Sequence, residues 1–143
     1  MKKTLIMLAV MITLATRVFA GDEKINPAVE NAFKSKFPGA VEVEWLAGPT
    51  YYKATFTYND TKLFAIFSDD ATLMGIARNI SSPQLPYFLQ TKLRKSFAHY
   101  WISDLYEMSN GEGFAYYVTL EDADNKVVLE SKEGRDWTVI SIK

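Results

Sequence analysis

Few side chains in this 143-residue chain could do chemistry. His99 is the single imidazole and there is no cysteine. That inventory excludes thiol chemistry, a disulfide framework and the usual zinc, copper and haem ligand sets. A Ser-His-Asp arrangement would have to use His99, which lies between Phe97 and Tyr100-Trp101, and no G-x-S-x-G elbow occurs anywhere. Carboxylates gather at Asp69-Asp70 and at Glu121-Asp122-Ala123-Asp124-Asn125. The second group faintly resembles a calcium loop, but it lacks the glycine and closing glutamate of an EF-hand and puts Lys126 where a ligand should stand. Both groups fall between apolar runs, where Asp and Asn are good turn formers. Glu42 and Glu44 alternate with Val41, Val43 and Trp45, the outward face of a half-buried strand. No glycine-rich phosphate loop or dinucleotide fingerprint is present. Asn59-Asp60-Thr61 and Asn79-Ile80-Ser81 match the glycosylation acceptor pattern and are read as chance matches. No catalytic residue, cofactor or metal ligand is expected.

The aromatic residues offer a different chemistry. Trp45, Tyr51, Tyr52, Trp101, Tyr106, Tyr116, Tyr117 and Trp137 could supply large contact areas at low entropy cost, as recognition surfaces do. The elements that position them follow from spacing. Asn26-Pro27 reads as a capped helix start, Val29, Ala32, Phe33 and Phe37 recur on one helical face, and Pro38-Gly39 ends the helix. In the second half Ser82-Pro83 reads as the start, with Leu85, Phe88, Leu89, Leu93 and Phe97 on one face and Pro86 tolerated in the first turn.

Strand character follows each helix. The runs are Val41–Leu46, Tyr51–Tyr58, Lys62–Ser68 and Thr72–Ile80, then Tyr100–Met108, Gly113–Glu121, Lys126–Ser131 and Trp137–Ile142. Short turns separate them, as hairpins of antiparallel strands require. From the second strand onward the halves align at a constant spacing. Tyr52, Ala54, Phe56, Leu63, Ala65, Leu73 and Gly75 match Tyr116, Val118, Leu120, Val127, Leu129, Trp137 and Val139. Alternation puts these on the face that the helices cover. The expected fold is α+β: two tandem α-β-β-β-β repeats, residues 26–80 and 82–143, with helices packed on antiparallel sheet.

The opposite face reads as more apolar than a solvated face should be. Phe64, Ile66, Met74 and Ile76 alternate there in the first half, and Tyr117, Val128, Ile140 and Ile142 in the second. Either that face closes on itself or on the N-terminal tail, or it is a binding surface. Tyr51, Phe64, Ile66 and Tyr117 are the candidate partner contacts.

The N-terminus reads as an export signal, residues 1–20. Lys2-Lys3 precede the apolar run Leu5–Leu14, and Val18 and Ala20 occupy the small-residue positions before a cut after Ala20. The run is too short to span a bilayer. The mature chain, residues 21–143, carries 13 Lys and Arg against 17 Asp and Glu, a net charge of −4. That acidic balance argues against binding to nucleic acid or anionic lipid. Lys92, Arg94 and Lys95, the densest basic stretch, read as a solvated helix face.

The stretch Phe33-Lys34-Ser35-Lys36-Phe37-Pro38-Gly39-Ala40, then Val43-Glu44-Trp45, then Tyr52-Lys53-Ala54-Thr55-Phe56, resembles the PepSY-like family of beta-lactamase-inhibitor-like proteins exported by Gram-negative bacteria. The match is close over residues 27–80 and fades over 86–142, where Ser96-Phe97-Ala98-His99 replaces the Pro-Gly stop. The resemblance implies a fold like that of the beta-lactamase inhibitor protein, residues 21–143 as one PepSY-like domain, and no enzymatic activity. It transfers no contact residue. The functional expectation is a non-enzymatic periplasmic or secreted module that binds, and in one version inhibits, another envelope or secreted protein. The alternative is a small-molecule or ion-binding envelope protein, which needs a cavity with converging polar groups.

Overall fold

The computed structural model describes residues 24–143; the expected signal, residues 1–20, lies outside them. A helix α1 (Pro27–Lys36) is followed by strands β1 (Val41–Ala47), β2 (Tyr51–Tyr58), β3 (Thr61–Ser68) and β4 (Leu73–Asn79). A 3-10 turn (Ser82–Gln84) then leads into helix α2 (Tyr87–Ser96) and strands β5 (Trp101–Asn110), β6 (Gly113–Glu121), β7 (Lys126–Lys132) and β8 (Thr138–Ile142). The eight strands form one antiparallel sheet in chain order, β1 to β8. Two compact units divide the chain. One comprises residues 24–79 with Glu107–Phe114, the other Ile80–Tyr106 with Ala115–Lys143.

In the first unit, Asn26 caps α1 by accepting the Ala28 N–H on its side-chain oxygen at 2.9 Å, and Pro27 occupies the first turn. The helix buries Val29, Phe33 and Phe37 against Ala54, Phe56, Ala65 and Phe67. Phe33 is the hub. Its ring lies 4.9 Å from that of Phe56, 5.2 Å from Trp45, 5.4 Å from Phe37 and 6.4 Å from Phe67. Most of these are edge-to-face or tilted contacts, which favour aromatic pairs beyond their buried area. Gly39 ends the turn at φ +88°, a left-handed conformation that a side chain resists.

The second unit has an aliphatic core. Leu85, Leu89 and Leu93 pack on Leu105, Val118, Leu120, Val127 and Leu129. Trp137 adds a polar tie by donating its Nε1–H to the Leu89 carbonyl at 3.1 Å. The helix begins later than Ser82-Pro83 suggested. Leu85 precedes Pro86 and is held extended (φ −69°, ψ 150°), so Ser82–Gln84 forms only a 3-10 turn and α2 starts at Tyr87.

Strand faces match the alternation on β2, β3, β6 and β7 and depart from it on β4 and β8. Phe67 stands opposite Leu73 while Ile66 stands opposite Gly75, so Met74 is an extra residue. That bulge turns Gly75 to the helix-free face and packs Ile76 against the α1 core. On β8, Leu129 faces Val139 and Val128 faces Ser141, leaving Ile140 extra and placing Ile142 opposite Val127.

The hub role of Phe33 sets an expected outcome. Phe33→Ala lowers stability in urea unfolding by about 3–5 kcal/mol, and Phe97→Ala, at the end of α2, costs less because that ring is only half-buried.

Candidate binding surface

In each unit the candidate contacts lie on the face of the strands opposite that unit's helix. In the first unit, Tyr51, Lys53 and Thr55 of β2 stand across from Ser68, Ile66 and Phe64 of β3. The Lys53 ammonium lies 4.5 Å from the centre of the Phe64 ring, within cation–π range. In the second unit Tyr117 stands across from Glu130 and donates its hydroxyl to Glu130 Oε1 at 2.7 Å. The Tyr106 ring stacks on that of Tyr117, 5.3 Å away and 18° from parallel. Lys132 Nζ is 3.7 Å from Glu130 Oε2 and balances part of its charge.

The four candidates differ in burial. Tyr51 is 6% exposed, Ile66 2% and Tyr117 1% in the full chain, and only Phe64 is half-buried. The Tyr51 ring folds over Gly48 so closely that a Cβ there would lie 2.2 Å from it. Ile66 lies opposite Gly75, and the Met108 side chain packs over that glycine. Tyr117 is held between the Tyr106 ring and the Glu130 carboxylate. Within each unit the helix packs on the other face of that unit's strands.

Burial also shapes the acid–base behaviour. Loss of hydration pushes the Tyr106 phenol well above its usual value, with Asp104, Tyr117 and Glu130 adding to the effect. Tyr117 is raised for the same first reason, then by its hydrogen bond to Glu130.

The acidic groups are turn formers here. Asp122 accepts the backbone N–H groups of Asp124 at 2.9 Å and Asn125 at 2.7 Å, with the Asn125 side-chain amide at 3.1 Å. These bonds, the one from Asp124 first, hold its carboxyl below the usual range. Asp70 is likewise occupied by the Ser68 hydroxyl and the Thr72 N–H. His99 is exposed, its ring centre 4.4 Å from that of Tyr100. Among the described residues no group of three or more His, Cys, Asp or Glu is placed to hold a metal ion.

Other features lay beyond the sequence reading. Glu130 sits in the apolar run of β7, and its place among Val127, Val128 and Leu129 was the available signal for a buried carboxylate. Val43 (37% exposed), Phe114 (41%) and Trp101 (54%) show apolar surface, and no spacing rule singles them out.

An eight-stranded antiparallel sheet with two helices is consistent with a BLIP-like fold. The chain is similar in structure to a BLIP-like protein from Bacteroides fragilis (22% identity, 86% of this chain and 88% of that one, TM-score 0.64). It is also similar to a DUF2874 family protein from Bacteroides uniformis (15% identity, 84% and 89%, TM-score 0.69). A third likeness is to a candidate periplasmic protein from Bacteroides eggerthii (16% identity, 84% and 88%, TM-score 0.68). No protein-family model and no curated protein matches the sequence. At these identities the likeness is one of fold. Among the described residues no helix is long and apolar enough to cross a membrane.

The raised tyrosines give a pH prediction. An unfolded chain ionises its tyrosines near pH ~10, whereas the folded chain keeps Tyr106 and Tyr117 neutral. Their contribution is therefore complete below pH ~10 and falls away as pH rises above it. Thermal melts of Tyr117→Phe at a series of pH values should show a shallower alkaline decline than the natural chain. At neutral pH the variant should lose about 1–3 kcal/mol, because the buried Glu130 carboxylate is left without its donor.

Proposed function

We propose that the protein is a non-enzymatic, exported binding module that engages another envelope or secreted protein through the helix-free face and its hairpin tips. Inhibition of an envelope enzyme is the form of this reading that the family resemblance suggests. The observation that carries it is the likeness in fold to a BLIP-like protein across most of both chains. A chemical inventory with one exposed histidine and turn-forming carboxylates supports it from the other side. In this reading residues 1–20 are a cleaved signal and residues 21–143 work in the periplasm or outside the cell, consistent with the periplasmic description of one neighbour. In the same reading the mature domain is PepSY-like and consists of two tandem α-β-β-β-β repeats, residues 26–80 and 82–143.

Phe64 is the contact candidate that keeps exposed area, and Lys53 presents it by covering one face of the ring. Tyr51 and Ile66 lie on the same face of β2 and β3 as Phe64, and Tyr117 is the contact candidate of the second unit.

The test is affinity capture by the exported, processed protein from an envelope extract of its source, read by mass spectrometry. One envelope protein should be enriched and should be displaced by untagged protein. Phe64→Ala should then weaken binding of that protein by about 1–3 kcal/mol with an unchanged melting temperature. A blank capture, or a Phe64→Ala variant that binds as tightly as the natural chain, overturns the reading.

A further inference from the structure

The family-like stretch that ends α1 and begins β1 builds a groove. It has a volume of about 320 Å³ and is floored by Phe33, Phe37 and Trp45, with Val43 on one wall and Glu30 and Lys34 at the rim. All of these lie in the first unit. The rim pair is loose, 3.8 Å apart, with the Lys34 side chain 73% exposed. The groove runs beside β1, which is the edge of the sheet.

The edge strand is distorted where it meets the groove. Val41 stands opposite Thr57 and Glu44 opposite Thr55, so Glu42 and Val43 together face a single partner position. Glu42 takes the left-handed conformation, φ 54°, which costs a non-glycine residue about 1–2 kcal/mol. Bulges of this kind re-aim side chains next to functional sites. Here the bulge leaves Val43 lining the groove, while the Glu42 carboxylate accepts the Thr57 hydroxyl on the opposite side of the sheet. From Glu44 to Ala47 the pairing with β2 is regular. Along this edge one side therefore carries the carboxylates of Glu42 and Glu44, and the other carries an aromatic groove.

We infer that this edge takes a short extended peptide segment that adds as a strand beside Glu44–Ala47. Its side chains alternate: a bulky apolar one enters the groove between α1 and β1, and basic ones flank it on the carboxylate side. Charge complementarity names the flanking residues, because opposite charges facing each other across paired strands attract and like charges repel. The groove names the anchor. Regular edge pairing over only Glu44–Ala47 sets the length, since the bulge stops a longer ladder. The anchor groove lies on the helix side of the strands, away from Phe64, and only the edge carboxylates border the helix-free face, so filling of the groove is read apart from the capture experiment.

The probe is a fluorescein-labelled, end-capped Lys-Phe-Lys-Phe-Lys peptide, titrated with the exported, processed protein and read by anisotropy. Saturable binding is expected, with backbone amide shifts confined to Glu44–Ala47 and the groove. Glu44→Lys should reverse the preference, weakening this peptide by about fivefold and strengthening Glu-Phe-Glu-Phe-Glu by a similar factor. Val43→Asp should weaken both peptides, and a peptide N-methylated along its edge-facing backbone should not bind. Absence of saturable binding at millimolar peptide overturns the inference. So does binding that ignores both substitutions, or shifts that fall on Tyr51, Phe64 and Ile66 instead.

Discussion

The ring of Phe33 holds the first unit together. Four aromatic rings converge on it, from the residue that caps the end of α1, from β1, from β2 and from β3. One side chain thereby fixes a ten-residue helix on three strands. A helix that short is marginal by itself in water, so its position is a tertiary matter. The wall of the groove and the placing of the Pro38-Gly39 stop both inherit from that anchoring. The second unit solves the same problem with leucines and a hydrogen bond from Trp137 to the helix backbone.

Much of this was legible in the sequence, for definite reasons. The capped start at Asn26-Pro27 and the alternation through β2, β3, β6 and β7 follow from local stereochemistry and a period of two. A bulge adds one residue and resets that period, and nothing in Leu73-Met74-Gly75 or Val139-Ile140-Ser141 marks where it falls. Sequence reading therefore carried Ile76 and Ile142 to the wrong side. The start of α2 was missed for a different reason. Two prolines three residues apart each permit a helix start, and only the extended Leu85 shows which one is used.

The candidate surface was harder to read than the fold. Type and spacing put Tyr51, Ile66 and Tyr117 on the correct face, but not their burial. Tyr51 is buried by a glycine three residues away, and Tyr117 by a stacked ring and a carboxylate from neighbouring strands. Edge position matters in the same way. Val43 and Glu44 become a presentable pair only once β1 is known to be the first strand of the sheet.

The three tryptophans occupy three unlike settings. Trp45 lies edge-on to Phe33 in one core, Trp137 is tied by its indole N–H to α2 in the other, and Trp101 is 54% exposed at the start of β5. Indole emission reports local polarity, so each core carries its own optical label with no foreign dye. Variants that retain a single tryptophan would reveal whether the two cores melt in one cooperative step or in sequence. The exposed Trp101 would serve as the internal reference against which both are read.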